Sequence, residues 1–365
     1  MRLPHFTFLI SILFAISASV ASARHAAEGP RPYKGAIVID AASGRVLFED
    51  KPDEVGPPAS VTKLMTFLVV QDRIASGALT LQTPVTITRE DARVAMLPDS
   101  TNVRLKENEV FPVEELLYAL MIQSANDAAN ALTHATAGSR AAFVDLMNAK
   151  ARELGMVNTT FHSPNGLPPT HGQRPDLTSP RDLAILGRYL LLHTDILRYT
   201  SVRARSFGDG VRLQTVAMTN HNHLLGHIAG CDGLKTGFTN GAGFCLAATA
   251  QRGNHRIIAV IMGSSDAKSR DLKMAELIEN SFAIVPVGST FTGYSRPPAA
   301  TVPATAAPTP ASAVTTPPAG NAPVPAPSPT PVMPAPLPPE KKTSMTGTDD
   351  SLNIEFSDPS ASKKG

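Results

Sequence analysis

Three short patterns in the chain combine residue types that can break an amide bond through a covalent serine intermediate. They are Ser60-Val-Thr-Lys63, Ser124-Ala-Asn126 and Lys235-Thr236-Gly237. A serine hydroxyl attacks well only when a neighbouring base takes its proton. A neutral amine is such a base, and a lysine three residues further along a helix lies on the same face as the serine. The patterns therefore predict acyl transfer to Ser60.

Each pattern alone is weak evidence, because similar ones arise by chance. Ser-x-x-Lys and Ser-x-Asn recur, at Ser265 and Ser360 and at Ser163 and Ser351, whereas Lys-Thr-Gly occurs once. Taken singly, Ser60 fits a helix N-cap and Lys63 a solvated lysine of the first turn. Context separates the copies: Ser60 opens an apolar helical pattern, whereas Ser265 lies in a polar loop and Ser360 in the C-terminal tail.

The order of the three patterns is more specific than any one of them. Ser124 follows Ser60 by 64 residues, and Lys235 follows Asn126 by 109. The ordered set resembles the penicillin-recognising serine acyltransferases. Four segments resemble more narrowly the low-molecular-weight penicillin-binding proteins, the D-alanyl-D-alanine carboxypeptidases, and they are residues 59–66, 124–129, 165–167 and 232–239. The resemblance extends over about residues 30–285.

Roles for the first two patterns follow from their chemistry. Ser60 is the expected nucleophile and Lys63 its base. A free lysine has a pKa of about 10.4, and burial together with a second cation, Lys235, should lower it. Ser124 is placed to relay the proton to the leaving amine. The amide of Asn126 is suited to holding Lys63 and a carbonyl of the substrate.

The third pattern is suited to recognising the end of a peptide. Lys235 and Thr236 provide a cation and a hydroxyl donor for a C-terminal carboxylate, and Gly237 lets the substrate backbone lie against the strand. The resemblance implies an oxyanion hole made by the backbone N–H groups of Ser60 and Phe238. It also implies removal of the terminal D-alanine from peptidoglycan stem peptides, with β-lactam antibiotics as covalent inhibitors. No cofactor and no metal are expected.

Other functions of the same scaffold remain as alternatives. A class A β-lactamase uses a glutamate in a Glu-x-x-Leu-Asn context, which is missing near Asn165-Gly166-Leu167, and its second pattern is Ser-Asp-Asn rather than the Ser-Ala-Asn of this chain. A penicillin sensor would use the same scaffold. An endopeptidase that cuts cross-links would use the same three patterns. A wall-binding module without activity is opposed by all three patterns being intact.

Hydrophobic periodicity predicts the elements that position these residues. Strands are predicted at 36–40, 45–49, 233–239, 244–250 and 256–262. Helices are predicted from Ser60 and at 113–121, 139–154, 182–192 and 271–282. Strands at both ends of a helical middle indicate the α+β class, an antiparallel sheet flanked by helices. The resemblance implies the β-lactamase/penicillin-binding-protein-like transpeptidase fold.

The composition divides the 365 residues into three parts. Residues 1–23 read as a signal peptide, cleaved after Ala23, which predicts export to the periplasm. Residues 24–288 form the expected catalytic domain. Residues 289–365 read as a disordered tail, since 16 of the 32 prolines lie in Pro297–Pro339. After cleavage no segment is long enough for a membrane anchor, and a formal net charge of +2 argues against a nucleic-acid partner.

The remaining residues with reactive side chains are two cysteines and a histidine group. An Asn240-Gly241 hairpin tip would place Cys231 opposite Ala250 and Cys245 opposite Thr236, on different sheet faces. We therefore expect free thiols. Metal-like spacing links three histidines, His221, His223 and His227. No carboxylate or cysteine joins them in the sequence, so a structural or solvated role is expected.

Overall fold

A five-stranded antiparallel sheet joins the two ends of the folded chain. The computed structural model describes residues 32–97, 100–169 and 174–295, so the expected signal peptide and the tail beyond residue 295 lie outside the described residues. The strands are β1 (Gly35–Asp40), β2 (Val46–Asp50), β7 (Cys231–Thr239), β8 (Gly243–Arg252) and β9 (His255–Ser264), in the order β2-β1-β9-β8-β7. Each strand is antiparallel to its neighbours. All five predicted strands are present.

The sheet is covered on both faces, because the middle parts of its central strands carry buried apolar residues on both sides. In β1, Ile37 and Ile39 belong to the larger hydrophobic cluster, whereas Ala36 and Val38 belong to the smaller one. This alternation follows the two-residue period of a strand. The smaller cluster is closed by α8 (Ala267–Phe282), which contributes Met274 and Ile278, among others.

The larger cluster packs the sheet against the helical middle of the chain. The helices there are α1 (Lys63–Ala75), α2 (Arg89–Val94), α3 (Val113–Ile122), α4 (Asn126–Ala137), α5 (Arg140–Glu153), α6 (Pro180–His193) and α7 (Leu197–Thr200). Two small two-stranded antiparallel sheets accompany them, formed by β3 (Pro84–Thr86) with β4 (Val110–Pro112) and by β5 (Ala204–Phe207) with β6 (Val216–Thr219). The four longer predicted helices of this region, at α1, α3, α5 and α6, are confirmed. In the described residues, no helix is both long enough and apolar enough to cross a bilayer.

Side-chain caps set several helix boundaries. Ser139 caps α5 by accepting a hydrogen bond from the backbone N–H of Ala142 at 3.2 Å, so the helix begins one residue after the predicted start at 139. Asp266 caps α8 by accepting from the backbone N–H of Ser269 at 2.8 Å. Because of this cap, α8 begins at Ala267, four residues before the predicted start.

The β7–β8 hairpin differs from the predicted two-residue tip at Asn240-Gly241. Thr239 pairs with Gly243, so the loop comprises the three residues 240–242. The backbone N–H of Ala242 donates to the Thr239 carbonyl at 3.1 Å. Gly243 has a φ of +71°, which glycine adopts at little cost. The extra residue shifts the register of the adjoining strand by one.

This shift changes the neighbour of one cysteine. Cys245 pairs with Gly237 rather than with the predicted Thr236, whereas an irregularity in β7 restores the predicted pairing of Cys231 with Ala250. Cys245 packs in the larger cluster and Cys231 against the smaller one. Both thiols are free, as predicted. Burial raises the pKa of each to about 11, so neither is reactive near neutral pH.

The folded part of the chain continues past the predicted domain end at residue 288. Ser289 donates its hydroxyl proton to Asp40 Oδ2 at 2.8 Å. The backbone N–H of Phe291 donates to the Asn254 carbonyl at 2.9 Å, and that of Tyr294 donates to the Leu191 carbonyl at 3.1 Å. Residues 289–295, the C-terminal strap, therefore belong to the domain and not to the tail.

Candidate active site

The first pattern lies at the junction of a tight turn and a buried helix. Ser60 is in the 3₁₀ turn Ala59–Thr62, and Lys63 is the first residue of α1. Neither of the two helices has a side-chain N-cap, and Ser60 instead contacts Lys63, with Oγ and Nζ 2.9 Å apart. The Lys63 side chain is fully buried. The N-cap and solvated-lysine interpretations are both wrong for this pair.

The hydrogen bonds of Lys63 can be made by a neutral amine. Nζ lies 2.7 Å from Asn126 Oδ1 and 2.8 Å from the carbonyl oxygen of Asn165. Both oxygens only accept, so Nζ donates a proton to each. A neutral amine has two protons and one lone pair, and the lone pair is then left for the hydroxyl proton of Ser60. This is the arrangement that a general base for Ser60 requires.

Burial is the main reason that the pKa of Lys63 is well below its usual value, and the charge of Lys235 lowers it further. Two carboxylates oppose these effects. Asp176 and Asp127 each raise the pKa of Lys63 through their negative charge. The protonation of the base thus depends on charges from three separate parts of the chain.

Asp176 organises the backbone around this base. Its Oδ1 accepts hydrogen bonds from the backbone N–H groups of His162 and Ser163, at 2.6 and 2.8 Å. Its Oδ2 accepts from the hydroxyls of Ser163 and Thr62, at 2.9 and 2.8 Å. The carboxylate therefore links the 3₁₀ turn of the nucleophile to the loop that presents the Asn165 carbonyl to Lys63.

The second pattern connects α3 to α4. Ser124 has a φ of +58°, an uncommon backbone conformation for serine. Its hydroxyl is buried beside the groove and has no hydrogen-bond partner among the described residues. Asn126 begins α4, accepts from Lys63, and donates through Nδ2 to Ser100 Oγ at 2.9 Å. Leaving a buried hydroxyl without a partner costs about 1–3 kcal/mol. The Ser124 hydroxyl therefore remains available to accept and donate a proton during the reaction.

The third pattern lies on β7, the edge strand of the sheet. Lys235 is buried behind the groove wall, and its Nζ donates to the Thr236 carbonyl at 3.0 Å. Burial, with a smaller contribution from the charge of Arg270, lowers the pKa of Lys235 to about 7. Thr236 and Gly237 line the groove itself. The hydroxyl of Thr236 is thus nearer to a ligand in the groove than the ammonium of Lys235.

Gly237 is required by packing against the nucleophile. A Cβ at this position would lie 2.6 Å from the Pro58 carbonyl oxygen and 3.0 Å from the Ser60 nitrogen. On the other side of the same turn, a Cβ on Gly166 would lie 1.9 Å from the Ala59 carbonyl oxygen. The sequence reasoning gave Gly237 only the role of admitting the substrate backbone, and the structure adds its contact with the 3₁₀ turn.

Phe238 forms part of the groove rim. Its side chain is 50% exposed and stacks on Phe244 with ring centroids 4.1 Å apart. The neighbouring Gly237 is in contact with the backbone of Ser60. The two backbone N–H groups expected to form the oxyanion hole, those of Ser60 and Phe238, are thus brought to the same end of the groove. Their role in catalysis stays a prediction.

The groove has a volume of about 680 Å³ and includes side chains that sequence reasoning missed. Arg270, in the first turn of α8, lines it although the side chain is 4% exposed. Its Nε donates to Asp271 Oδ1 at 2.8 Å. No local signal marks this arginine in the sequence, since the predicted helix begins one residue after it.

The histidines were assigned to structure or solvent, whereas His221 and His223 line the groove. His223 Nδ1 lies 3.4 Å from Asp271 Oδ2. Burial, followed by the charge of Lys235, lowers the pKa of His221 to about 4, so the ring is neutral near pH 7. Within the described ranges, no group of three or more His, Cys, Asp or Glu side chains is arranged to hold a metal ion.

Comparison with known proteins gives consistent matches over the folded part. A family model described as D-alanyl-D-alanine carboxypeptidase matches residues 23–266. The D-alanyl-D-alanine carboxypeptidase DacF of Bacillus subtilis is 32% identical over 284 residues, 76% of this chain and 70% of the relative. A D-alanyl-D-alanine endopeptidase of Haemophilus influenzae is 34% identical over 212 residues, 58% of this chain and 68% of the relative.

Solved structures agree with the sequence matches. Penicillin-binding protein D2 from Listeria monocytogenes, in its ampicillin-bound form, is 31% identical with a TM-score of 0.61. The match covers 70% of this chain and 99% of that one. The predicted α+β transpeptidase fold is thereby confirmed.

Proposed function

Because the chain belongs to the D-alanyl-D-alanine carboxypeptidase family, we propose that Ser60 is the nucleophile with which it removes the terminal D-alanine from peptidoglycan stem peptides. The enzyme is a serine peptidase that works through an acyl-enzyme. One observation carries the assignment of the nucleophile: Nζ of the buried Lys63 lies 2.9 Å from Ser60 Oγ, and its two other contacts are oxygens that only accept.

Acylation begins when Ser60 Oγ attacks the carbonyl carbon of the penultimate D-alanine. Its proton passes to the lone pair of Lys63, whose cationic form is then held by the oxygens of Asn126 and Asn165. The negative oxygen of the tetrahedral intermediate is stabilised by the backbone N–H groups of Ser60 and Phe238. Such donors are each worth about 3–4 kcal/mol in acyl-transfer sites.

The intermediate then collapses and the C–N bond breaks. The leaving nitrogen needs a proton, which Lys63 supplies through the hydroxyl of Ser124. The Ser124 hydroxyl has no hydrogen-bond partner in the described chain, Lys63 included, so the relay requires this hydroxyl to turn toward Lys63 Nζ when the substrate is bound. Water then attacks the ester carbonyl, Lys63 takes one of its protons, and Ser60 is released.

The C-terminal carboxylate of the substrate determines where the peptide lies. Thr236 donates its hydroxyl to the carboxylate, and the charges of Lys235 and Arg270 attract it. Lys235 is the least exposed of the three, so it acts through its charge more than by direct contact. Asn126 orients a peptide carbonyl with the second proton of Nδ2, since the first is donated to Ser100.

β-Lactam antibiotics contain a carbonyl and a carboxylate in a similar relation, so they should acylate Ser60 as well. In the described part of the chain, no acidic side chain lines the groove to activate water for rapid hydrolysis of the adduct. We therefore expect a long-lived drug adduct, as in a penicillin-binding protein, and not turnover as in a β-lactamase.

Endopeptidase activity is the second candidate, because a relative with that name matches this chain. Hydrolysis of a cross-link uses the same acyl donor but releases the side-chain amine of a neighbouring stem. When the neighbouring stem carries lysine at its third position, the leaving group has no carboxylate directly beside the scissile bond, whereas a diaminopimelyl leaving group has one. For lysine-type cross-links, the three cationic and hydroxyl groups at that end of the groove, on Lys235, Thr236 and Arg270, therefore favour the carboxypeptidase reaction.

The enzyme acts outside the cytoplasm, where its polymer substrate lies. Export rests on residues 1–23, which carry the pattern of a signal peptide. Cleavage after Ala23 would leave Arg24 as the first residue of the catalytic domain. N-terminal sequencing of protein recovered from the periplasm tests this, and recovery of an uncleaved chain would contradict it.

The activity itself is tested by incubating the protein with diacetyl-Lys-D-Ala-D-Ala and measuring free D-alanine. A cross-linked muropeptide dimer tests the endopeptidase reaction in parallel. After treatment with a penicillin, the intact mass should show a single covalent adduct that lasts much longer than one turnover of the peptide substrate. Ser60→Ala should abolish both the adduct and the release of D-alanine. Rapid loss of the adduct as hydrolysed drug would indicate a β-lactamase, and an adduct without D-alanine release would indicate a sensor.

A further inference from the structure

A second cavity, of about 950 Å³, adjoins the catalytic groove. Thr101 lines both. This residue is tied to the second pattern on two sides: its hydroxyl donates to the Ser124 carbonyl at 2.8 Å, and its carbonyl accepts from the Asn126 backbone N–H at 2.9 Å. The wall between groove and cavity is therefore attached to the residues expected to handle the proton and the substrate amide.

The proposed function gives the substrate a direction in the groove, and the next step rests on it. The leaving D-alanine points its carboxylate toward Thr236 and Arg270. The acyl part of the peptide must leave Ser60 the other way, past Ser124 toward Thr101. A peptide in extended conformation advances about 3.5 Å per residue, so residues two or three positions before the scissile bond lie about 7–10 Å further along, on the side where Thr101 lines both the groove and the second cavity.

The cavity presents positive charge to whatever enters it. Arg104 and Lys106 line it, and both are exposed. Neither side chain forms an ion pair within residues 32–97, 100–169 and 174–295, and over the same ranges no acidic side chain lines the cavity. Gln123 and Met96 add a polar group and an exposed apolar side chain to its wall.

The backbone of Arg104 is held in a conformation that arginine seldom adopts, with a φ of +55°. Its N–H donates to Asn102 Oδ1 at 3.2 Å, and its carbonyl accepts from Arg212 Nη2 at 2.9 Å. Such a conformation costs of order 1–3 kcal/mol and persists only where its surroundings enforce it. The surrounding contacts thus fix the point from which this guanidinium extends.

We propose that this cavity is a subsite for a free carboxylate on the acyl side of the stem peptide, bound by Arg104 and Lys106. A guanidinium and a carboxylate form charge-assisted hydrogen bonds, often in pairs. Two residues of a stem can supply the group. The D-isoglutamyl residue has a free α-carboxylate, and a diaminopimelyl third residue has one on its side chain.

Four peptides separate these sources. All end in D-Ala-D-Ala, and they carry lysine or diaminopimelate at the third position, each with the preceding D-isoglutamyl carboxylate free or amidated. We expect kcat/KM for D-alanine release to be about three- to tenfold higher for a peptide with the recognised carboxylate, as befits partly exposed charges. The preference should shrink as ionic strength rises. Equal values for all four peptides would overturn the subsite.

Variants connect the preference to the two cations. Arg104→Gln combined with Lys106→Gln should remove the preference and leave unchanged both the release of D-alanine from diacetyl-Lys-D-Ala-D-Ala and the rate of penicillin acylation. Arg93→Gln, which neutralises an exposed arginine of α2 outside the cavity lining, should keep the preference. A double variant that retains it, or that loses activity on every substrate alike, contradicts the subsite. Failure of the wild type to release D-alanine from any peptide would instead contradict the proposed function, and the subsite with it.

Discussion

The candidate site is built from single residues around Lys63, and only part of them could be predicted from the sequence. The pairs Ser60 with Lys63 and Ser124 with Asn126 are each close in the chain, and the ordered set of three patterns, not any one spacing, predicted that they act together. The Asn165 carbonyl, Asp176 and Arg270 reach the site from distant segments. No local pattern marks them, because a backbone carbonyl carries no sequence signal and a single charged residue fits many surfaces.

Asp176 provides a test of how charge tunes the base. Its carboxylate raises the pKa of Lys63, so Asp176→Asn should lower that pKa. Activity requires the neutral amine, so the acid limb of kcat/KM against pH should move to lower pH, with a smaller maximal rate because the loop is held less well. Thr62→Val removes one hydrogen bond to Asp176 but no charge. It should lower the rate without moving the limb, and coincident limbs for Asp176→Asn and wild type would refute the coupling.

The buried charge of Lys235 should lower the free energy of unfolding of the protein, although the proposed reaction needs this residue. Its pKa is about 7 in the folded protein and about 10.4 in the unfolded chain. The unfolded state therefore binds more protons between these values, and the resulting destabilisation is full below about pH 7 and fades toward pH 10. Lys235→Met should be inactive yet have a free energy of unfolding higher by about 2–4 kcal/mol at pH 7.

Urea unfolding across pH 6–10 measures this difference. The gap between Lys235→Met and wild type should narrow as pH rises. The exposed Lys51 offers a matched control, since Lys51→Met should differ from wild type by the same small amount throughout. A pH-independent gap at Lys235 would show that packing and not charge explains it.

At the scale of elements, the long helices and the central strands could be predicted because each has a clear apolar period. The short strands β3 to β6 and the four-residue α7 could not, since so few residues show no period. Helix α4 was also missed. Its buried face includes Asn126, Asp127 and Asn130, polar residues that hydrogen-bond to other segments and so hide its helical period.

The β7–β8 hairpin contains both a glycine that packs against the nucleophile turn and a glycine that can serve as its control. Gly237→Ala would place a methyl group 2.6 Å from the Pro58 carbonyl oxygen and push the turn that carries Ser60. A displacement of about 1 Å can cost a hundredfold in rate, so both D-alanine release and penicillin acylation should fall by about that factor. Gly241→Ala, in the same hairpin with nothing within 4 Å, should leave both rates unchanged. Stopped-flow acylation rates for the two variants decide the matter, and equal rates would refute the clash.

For the molecule as a whole, the sequence predicted one sheet with helices on both sides but ended the domain too early. The C-terminal strap, residues 289–295, lacks regular structure, so periodicity gave no sign of it. Phe291 is the residue that holds it, since its ring packs against the larger cluster and lies under the Arg256 guanidinium at 5.5 Å. The strap thereby connects the end of α8 back to β1 through Ser289 and Asp40.

Removing that ring should weaken the whole domain. Phe291→Ala in the full chain should lower the free energy of unfolding by about 1–2 kcal/mol, less than for a fully buried phenylalanine, and Tm by about 3–6 °C. Val287, whose side chain is fully exposed, is the control, and Val287→Ala should melt with the wild type. If Phe291→Ala melts at the same temperature as the control, the strap does not stabilise the domain and should be counted with the tail.

The two glycines that enclose the nucleophile turn also limit how such an enzyme can evolve under antibiotic pressure. Gly166 and Gly237 both lie against the backbone of this turn. A Cβ on Gly166 would lie 1.9 Å from the Ala59 carbonyl oxygen, and a Cβ on Gly237 would lie 2.6 Å from the Pro58 carbonyl oxygen. Any side chain there would impair wall hydrolysis and drug capture together, so selection gains nothing from it. Changes that spare the natural reaction are more readily made at the rim of the groove, for example at the side chain of Phe238, which is 50% exposed and stacks on Phe244.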